Sequence, residues 1–174
     1  MGQYYNPTNI SKKQWVYSHD FGVGLKLMEH SYIGNKFVET VEKLLTKGQE
    51  WFKDKIVWAG DYADEEKGRK LNLYALIGKD KNKITPKCQF LPKEYKYICN
   101  HDKKEYVDKS KIKEDADGFK IHPLPLLTCE GSGRGSGDFN GEDKRIGYWS
   151  RDSISIEEKI PEDYKEIDGQ FIED

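Results

Sequence analysis

The chain has no apolar run approaching the roughly twenty residues that a membrane-spanning helix needs. Its opening, Met1-Gly2-Gln3-Tyr4-Tyr5, lacks the basic and apolar regions of a secretory leader. Gly2 after Met1 fails as a myristoylation signal, because Asn6 stands where Ser or Thr is required. Cysteine is scarce and odd in number: Cys88, Cys99 and Cys129 are widely spaced, which favours free thiols in a reducing compartment. Net charge is nearly absent at −2, so no global field recruits nucleic acid or an anionic membrane. These absences together set the expectation of an intracellular, cytoplasmic protein without a membrane partner (host-cell cytoplasm if phage-encoded).

Reaction signatures are missing too. There is no G-x-S-x-G nucleophile motif, and no H-x-x-x-H or H-x-E metal spacing. Cys129 sits beside Glu130, whose like charge disfavours a thiolate. Cys99-x-His101 with Cys88 supplies half a zinc site and no more. No metal and no cofactor are expected.

What is present is aromatic. Rings make up 13% of the 174 residues although hydrophobic residues reach only 36%, and large rings can fill a core that aliphatics do not. The length suits one globular domain over residues 1–174. Asn35 followed by Phe37, Val38, Val41, Leu44 and Leu45 predicts an amphipathic helix over about 35–47, with Glu39, Thr40, Glu42 and Lys43 facing water. Lys55–Gly60 reads as a strand, and Leu71–Ile77 is ambiguous. Phe119–Leu127 reads as a proline-rich strand, and 145–149 with 153–157 as a closing hairpin. The segment 157–174 is acidic. The fold class is α+β, one domain with a mainly antiparallel sheet built from hairpins.

One internal echo stands out. Asn9-Ile-Ser-Lys12-Lys13-Gln14-Trp15-Val16 aligns without a gap onto Asn100-His-Asp-Lys103-Lys104-Glu105-Tyr106-Val107, and Tyr4 falls on Tyr95. Two hairpins with N-x-x-K-K turns follow from it. Shared hairpin chemistry and duplication account for the match equally well.

The candidate site is the glycine-rich loop over 130–141. Alternate glycines leave the backbone free for positive φ and close approach, and successive N–H groups there can form an anion nest around Arg134. It is no Walker loop, since no Gly-Lys-Ser/Thr closes it. Gly131, Gly133, Arg134 and Gly135 are the ligand-binding candidates, with Trp149 and Arg151 as a wall. The bland alternative is a surface linker. Asp61 and Asp64, at the end of a predicted strand, with His30 or His122, are the catalytic candidates, although Asp is also a common turn residue. Residues 79–113 carry eleven lysines against five acids, interleaved with Phe90, Tyr95, Tyr97 and Tyr106. Such a stretch could contact nucleic acid; the absence of arginine disfavours specific readout, and a solvated edge hairpin explains it as well.

Gly2-Gln3-Tyr4-Tyr5 with Asn9-x-x-Lys12-Lys13, Gly24–Glu29, Trp58-Ala-Gly-Asp61-Tyr62, Gly131-x-Gly-Arg134-Gly and Trp149-x-Arg151-Asp152-x-Ile154-Ser155 resemble a group of small bacterial and phage proteins. The resemblance implies a mobile-element setting and carries no activity, cofactor or catalytic residue. The functional expectation is a binding protein, more an interaction module than an enzyme, that presents the loop to an anionic small molecule or a protein partner. A metal-assisted hydrolase of a phosphate-containing substrate and a virion assembly protein are the alternatives.

Overall fold

The structure, a computed structural model, describes residues 2–132 and 139–173. Two mixed sheets and four α-helices make up the described residues, an α+β fold. The first sheet contains β1 (Tyr5–Asn9), β2 (Gln14–Val16), β3 (Ile56–Gly60), β4 (Lys83–Ile84) and β7 (Cys129–Glu130), in the order β4-β2-β1-β3-β7. The second contains β5 (Tyr97–Asn100), β6 (Glu105–Asp108), β8 (Ile154–Glu157) and β9 (Lys165–Glu166), in the order β8-β5-β6-β9. The central pairings are antiparallel, as expected. The short outer pairings β2–β4, β3–β7 and β6–β9 are parallel. No helix among the described residues is long and apolar enough to cross a membrane.

The helices are α1 (Leu27–His30), α2 (Lys36–Leu44), α3 (Leu73–Ile77) and α4 (Pro123–Thr128). α2 is the predicted amphipathic helix. Asn35 caps it, its Oδ1 accepting from Phe37 N at 2.9 Å and Val38 N at 3.3 Å. Phe37, Val38, Val41 and Leu44 face the core, but Thr40 and Glu42 are buried as well, contrary to the sequence expectation. Thr40 is absorbed by hydrogen bonds to Lys36 O and from Gln89 N. Glu42 is absorbed by an ion-pair cluster described below.

Two stretches depart from the sequence reading. Residues 123–128 are helical, not extended, because Pro123 and Pro125 fall in the first turn, where proline's missing N–H has no helical partner to lose. His122 caps this helix, its Nδ1 accepting from Leu124 N at 3.2 Å. Residues 145–149 form consecutive turns, so β8 pairs with β5 and the closing hairpin does not exist.

The two sheets share one motif. β2-β1-β3 in the first corresponds to β6-β5-β8 in the second. Asn9 pairs with Gln14 and Ile56; Asn100 pairs with Glu105 and Ile154. Each turn has a lysine at positive φ, Lys13 at 54° and Lys104 at 52°. Each Asn caps its turn through Oδ1 and donates its amide N–H to a distant aspartate, Asn9 to Asp54 and Asn100 to Asp152, both at 2.8 Å. Lys12 and Lys103 close onto the same two aspartates.

The likeness continues past the hairpins. Each aspartate stands three residues after a fully buried tryptophan, Trp51 or Trp149, whose carbonyl accepts the aspartate N–H. Each indole N–H donates to the first residue of the second strand: Trp51 to Gln14 Oε1 at 2.9 Å, Trp149 to Glu105 Oε1 at 3.1 Å. Between tryptophan and aspartate lies another residue at positive φ, Lys53 at 61° and Arg151 at 68°. The halves also exchange backbone bonds. Lys53 N donates to Ile154 O at 3.1 Å, and Arg151 N to Ile56 O at 2.9 Å. Ile56 N donates to Asp152 O, and Ile154 N to Asp54 O. The chain is therefore a repeated unit related by an approximate two-fold, with the isolated Lys55–Ser153 bridge on its axis. Hairpin chemistry explains the turns alone; it does not require matching tryptophans and aspartates far downstream, with Asp54 45 residues after Asn9 and Asp152 52 after Asn100.

The units interlock. Leu45, just past α2, accepts from Ile156 N of β8, while Cys129, just past α4, pairs with Trp58 of β3. Each unit's helix ends against the other unit's strand.

Candidate functional site

A duplicated scaffold makes its own departures from symmetry informative. The largest involves Arg151 and Lys53. Their backbones match, but Lys53 is exposed and lies over its neighbour Phe52, with 5.2 Å between Nζ and the ring centre. Arg151 reaches two carboxylates. Its Nε and Nη2 donate to Glu130 at 2.5 and 2.7 Å, and its Nη1 and Nη2 to Glu66 at 2.7 and 2.8 Å. Such forked pairs fix geometry as well as charge. Ser150 Oγ donates to Glu130 from the same turn. Burial pushes the Glu130 carboxyl up, but the Arg151 and Ser150 bonds outweigh it and hold it below the usual range. The bonds to Glu130 and then Glu66 raise the guanidinium.

This Glu66–Arg151–Glu130 bridge borders an open cleft of about 690 Å³. Asp64, Glu65, Lys144 and the exposed Tyr148 also face it. Among the described residues four carboxylates thus meet two cations, and one of those, Arg151, is already committed. Gly131 lies at the cleft edge, where the chain enters the glycine segment. A Cβ there would collide with the Tyr5 hydroxyl and the Gln3 side-chain oxygen, so both side chains would have to shift to admit any other residue. Gln3 pins the next residue, accepting from Ser132 N at 2.9 Å and donating to Ser132 O at 3.2 Å. Gly147, at φ 72°, packs against Cys129 O and closes the opposite side. Gly133, Arg134 and Gly135 lie outside the described residues.

The remaining candidates scatter. Trp149 is a core residue, fully buried, and offers no wall to a ligand. Asp61 is a turn residue: its Oδ1 accepts from Tyr4 N at 3.0 Å, and its own N–H donates to Tyr4 O. Asp64 faces the cleft. His30 is sealed in the core, with Nδ1 on Gly24 O at 2.9 Å and Nε2 accepting from Trp58 Nε1 at 2.9 Å. Burial lowers its pKa to about 4, so it is neutral at pH 7. His122 is also buried; with Nδ1 accepting as the α4 cap, its Nε2 donates to Glu42 Oε1 at 2.8 Å. Lys109 pairs with the other Glu42 oxygen. Burial alone would raise Glu42, yet Lys109 and His122 together hold it down at about 2. Neither histidine reaches solvent, so neither can exchange protons with a substrate in the cleft. Among the described residues no group of three or more His, Cys, Asp or Glu could hold a metal.

Burial pushes the Cys99 thiol up to about 12, and Cys129 donates its S–H to Leu126 O at 3.4 Å. No family model, curated protein or solved structure matches this chain.

The sequence reading missed Glu66 and Glu130 as the partners of Arg151. Glu130 was visible only as a flank of the glycine run, and Glu66 lies in a polar loop with no spacing signal. The pairing arises because the turn after Trp149 carries Arg151 to the edge of β3 and β7.

Proposed function

We propose that this chain is a binding protein whose recognition surface is the cleft at the base of the glycine segment, and that it receives a cationic group of a protein partner. The observation that carries this reading is the charge arrangement: Asp64, Glu65, Glu66 and Glu130 line the cleft, while Arg151 is spent holding two of them in place. An anionic ligand, the sequence-based expectation, would meet uncompensated carboxylates there. A lysine or arginine side chain would complete the set, while the Tyr148 ring already carries Lys103 Nζ at 5.1 Å from its centre. The buried, partnered state of His30, His122, Cys99 and Cys129 favours a binding role over a catalytic one.

The test is a titration of the intact chain at low salt with a short oligo-arginine peptide, followed by backbone amide shifts. Saturable shifts confined to residues 63–66, 130–131 and 144–148 are expected. Glu65→Gln, which removes a cleft charge without touching the bridge, should weaken binding several-fold. A saturable response at those residues to oligo-glutamate or inorganic phosphate instead would reverse the assignment.

A further inference from the structure

The lysine-rich stretch that the cleft does not use contributes to a second concavity. Residues 91–93 and 95–96, Lys109–Ser110, Lys120 and one side of α2 line a hollow of about 390 Å³, within the usual range for small-molecule sites. Its apolar lining comes from Ile33, Leu91 and Tyr95. Its inner wall is the Glu42–Lys109 pair, whose side chains are only 1% and 13% exposed. Glu42 is fully committed, since His122 and Lys109 take one oxygen each. The charge of Lys109 is cancelled there.

Three further lysines border the hollow: Lys93, Lys96 and Lys120. Among the described residues none of the three has a carboxylate within ion-pair distance. Glu39 is the one remaining carboxylate facing the space, and burial first, then the charge of Glu42, pushes its carboxyl up. Three ammonium groups thus border one concavity whose lining holds only Glu39 as an unpaired carboxylate; Glu158, which accepts from the Tyr95 hydroxyl, and Glu94 and Glu157 lie outside that lining.

We infer that this hollow is a binding site for a small organic anion, a phosphate or carboxylate carried on an apolar ring or chain. The apolar body would lie against Ile33, Leu91 and Tyr95, and the anionic head would complete the ring of Lys93, Lys96 and Lys120. The site shares no residue with the acidic cleft and has no equivalent across the two-fold, because Glu42 and His122 occupy unmatched positions in the two helices.

The experiment titrates the intact chain with 1-naphthyl phosphate, 1-naphthol and inorganic phosphate, followed by amide shifts. Saturable binding of 1-naphthyl phosphate with Kd below about 1 mM is expected, read at Leu91, Lys93–Lys96 and Ser110, with both controls at least tenfold weaker. The variant Lys93→Gln/Lys96→Gln/Lys120→Gln, which alters rim side chains that make no ion pair, should lose at least tenfold in affinity with Tm unchanged. Equal binding of inorganic phosphate, equal binding of 1-naphthol, absence of saturation, or full affinity in the triple variant would each overturn the assignment.

Discussion

Lys53 and Arg151 occupy the same position in two copies of one unit, with the same left-handed backbone and the same exchanged bond to the opposite strand. One points a charge into water; the other ties together two carboxylates from remote parts of the chain and shapes a cleft. The scaffold explains what the copies share, and recognition falls to the positions where they part. The same contrast separates Trp51 and Trp149, which have kept one role, from Ile10 and His101, which have not. His101 bridges Tyr164 and Ser155 at 2.6 Å each, a polar link that the first unit lacks.

The comparison can be broken most forcefully at the tryptophans. Trp51→Ala and Trp149→Ala should each lose about 3–5 kcal/mol in urea denaturation, and by similar amounts. A near-neutral Trp149→Ala would mean that this residue is not the structural twin of Trp51. Next comes acid. An imidazole whose pKa is about 6.5 unfolded and about 4 folded contributes fully above pH 6.5 and loses its contribution as pH falls to 4. For His30 this amounts to about 3 kcal/mol, measurable as a falling urea midpoint through that window. His101, also lowered to about 4 by burial and then by Lys53, acts in the same window, so the His101→Ile variant should retain the His30 share. Below pH 4.5 the depressed Glu42 adds a further loss as pH falls toward 2.

Smaller effects sharpen the match. Asp54→Ala and Asp152→Ala each strip an asparagine amide and a lysine of their shared acceptor. Each should cost about 1–3 kcal/mol, against less than about 1 kcal/mol for the exposed lysines Lys12→Ala and Lys103→Ala. The smallest test is the most selective. Lys53→Gly should be neutral or stabilise by up to about 1 kcal/mol, because glycine relieves the left-handed backbone. Arg151→Gly should destabilise despite the same relief, because Glu130 and Glu66 lose their partner. Thermal melts of the two variants should move in opposite directions or differ clearly in size.

Part of this was legible in the sequence. α2 could be read from its apolar stripe and Asn35, and both hairpins from the N-x-x-K-K echo. The echo carried further than the reading followed it: Trp51-x-x-Asp54 and Trp149-x-x-Asp152 recur in the same order along the chain, and that spacing was the signal for the structural repeat. What hid it was the unequal separation between each hairpin and its tryptophan, spanned by different helices. α4 was masked by prolines that suit a strand edge as readily as a first helical turn. The cleft was legible only in pieces: Gly131, Arg151 and Asp64 could be named, but not that Glu66, Arg151 and Glu130 meet from three separate segments. Nor was the burial of Glu42, whose charge looked like that of any solvent-facing helix position until His122 and Lys109 were brought to it.

The interlock of the two units also bears on how the chain is made. β3 lacks its outer neighbour until Cys129 arrives, and α2 has no strand to end against until Ile156 does. A nascent chain with only its first unit synthesised holds an open sheet and an unfinished helix contact. Closure waits on partners far away in sequence, a topology that slows folding. Synthesis therefore has to reach Cys129 and Ile156 before the two units can close on each other, and the first unit commits to its structure only with the second.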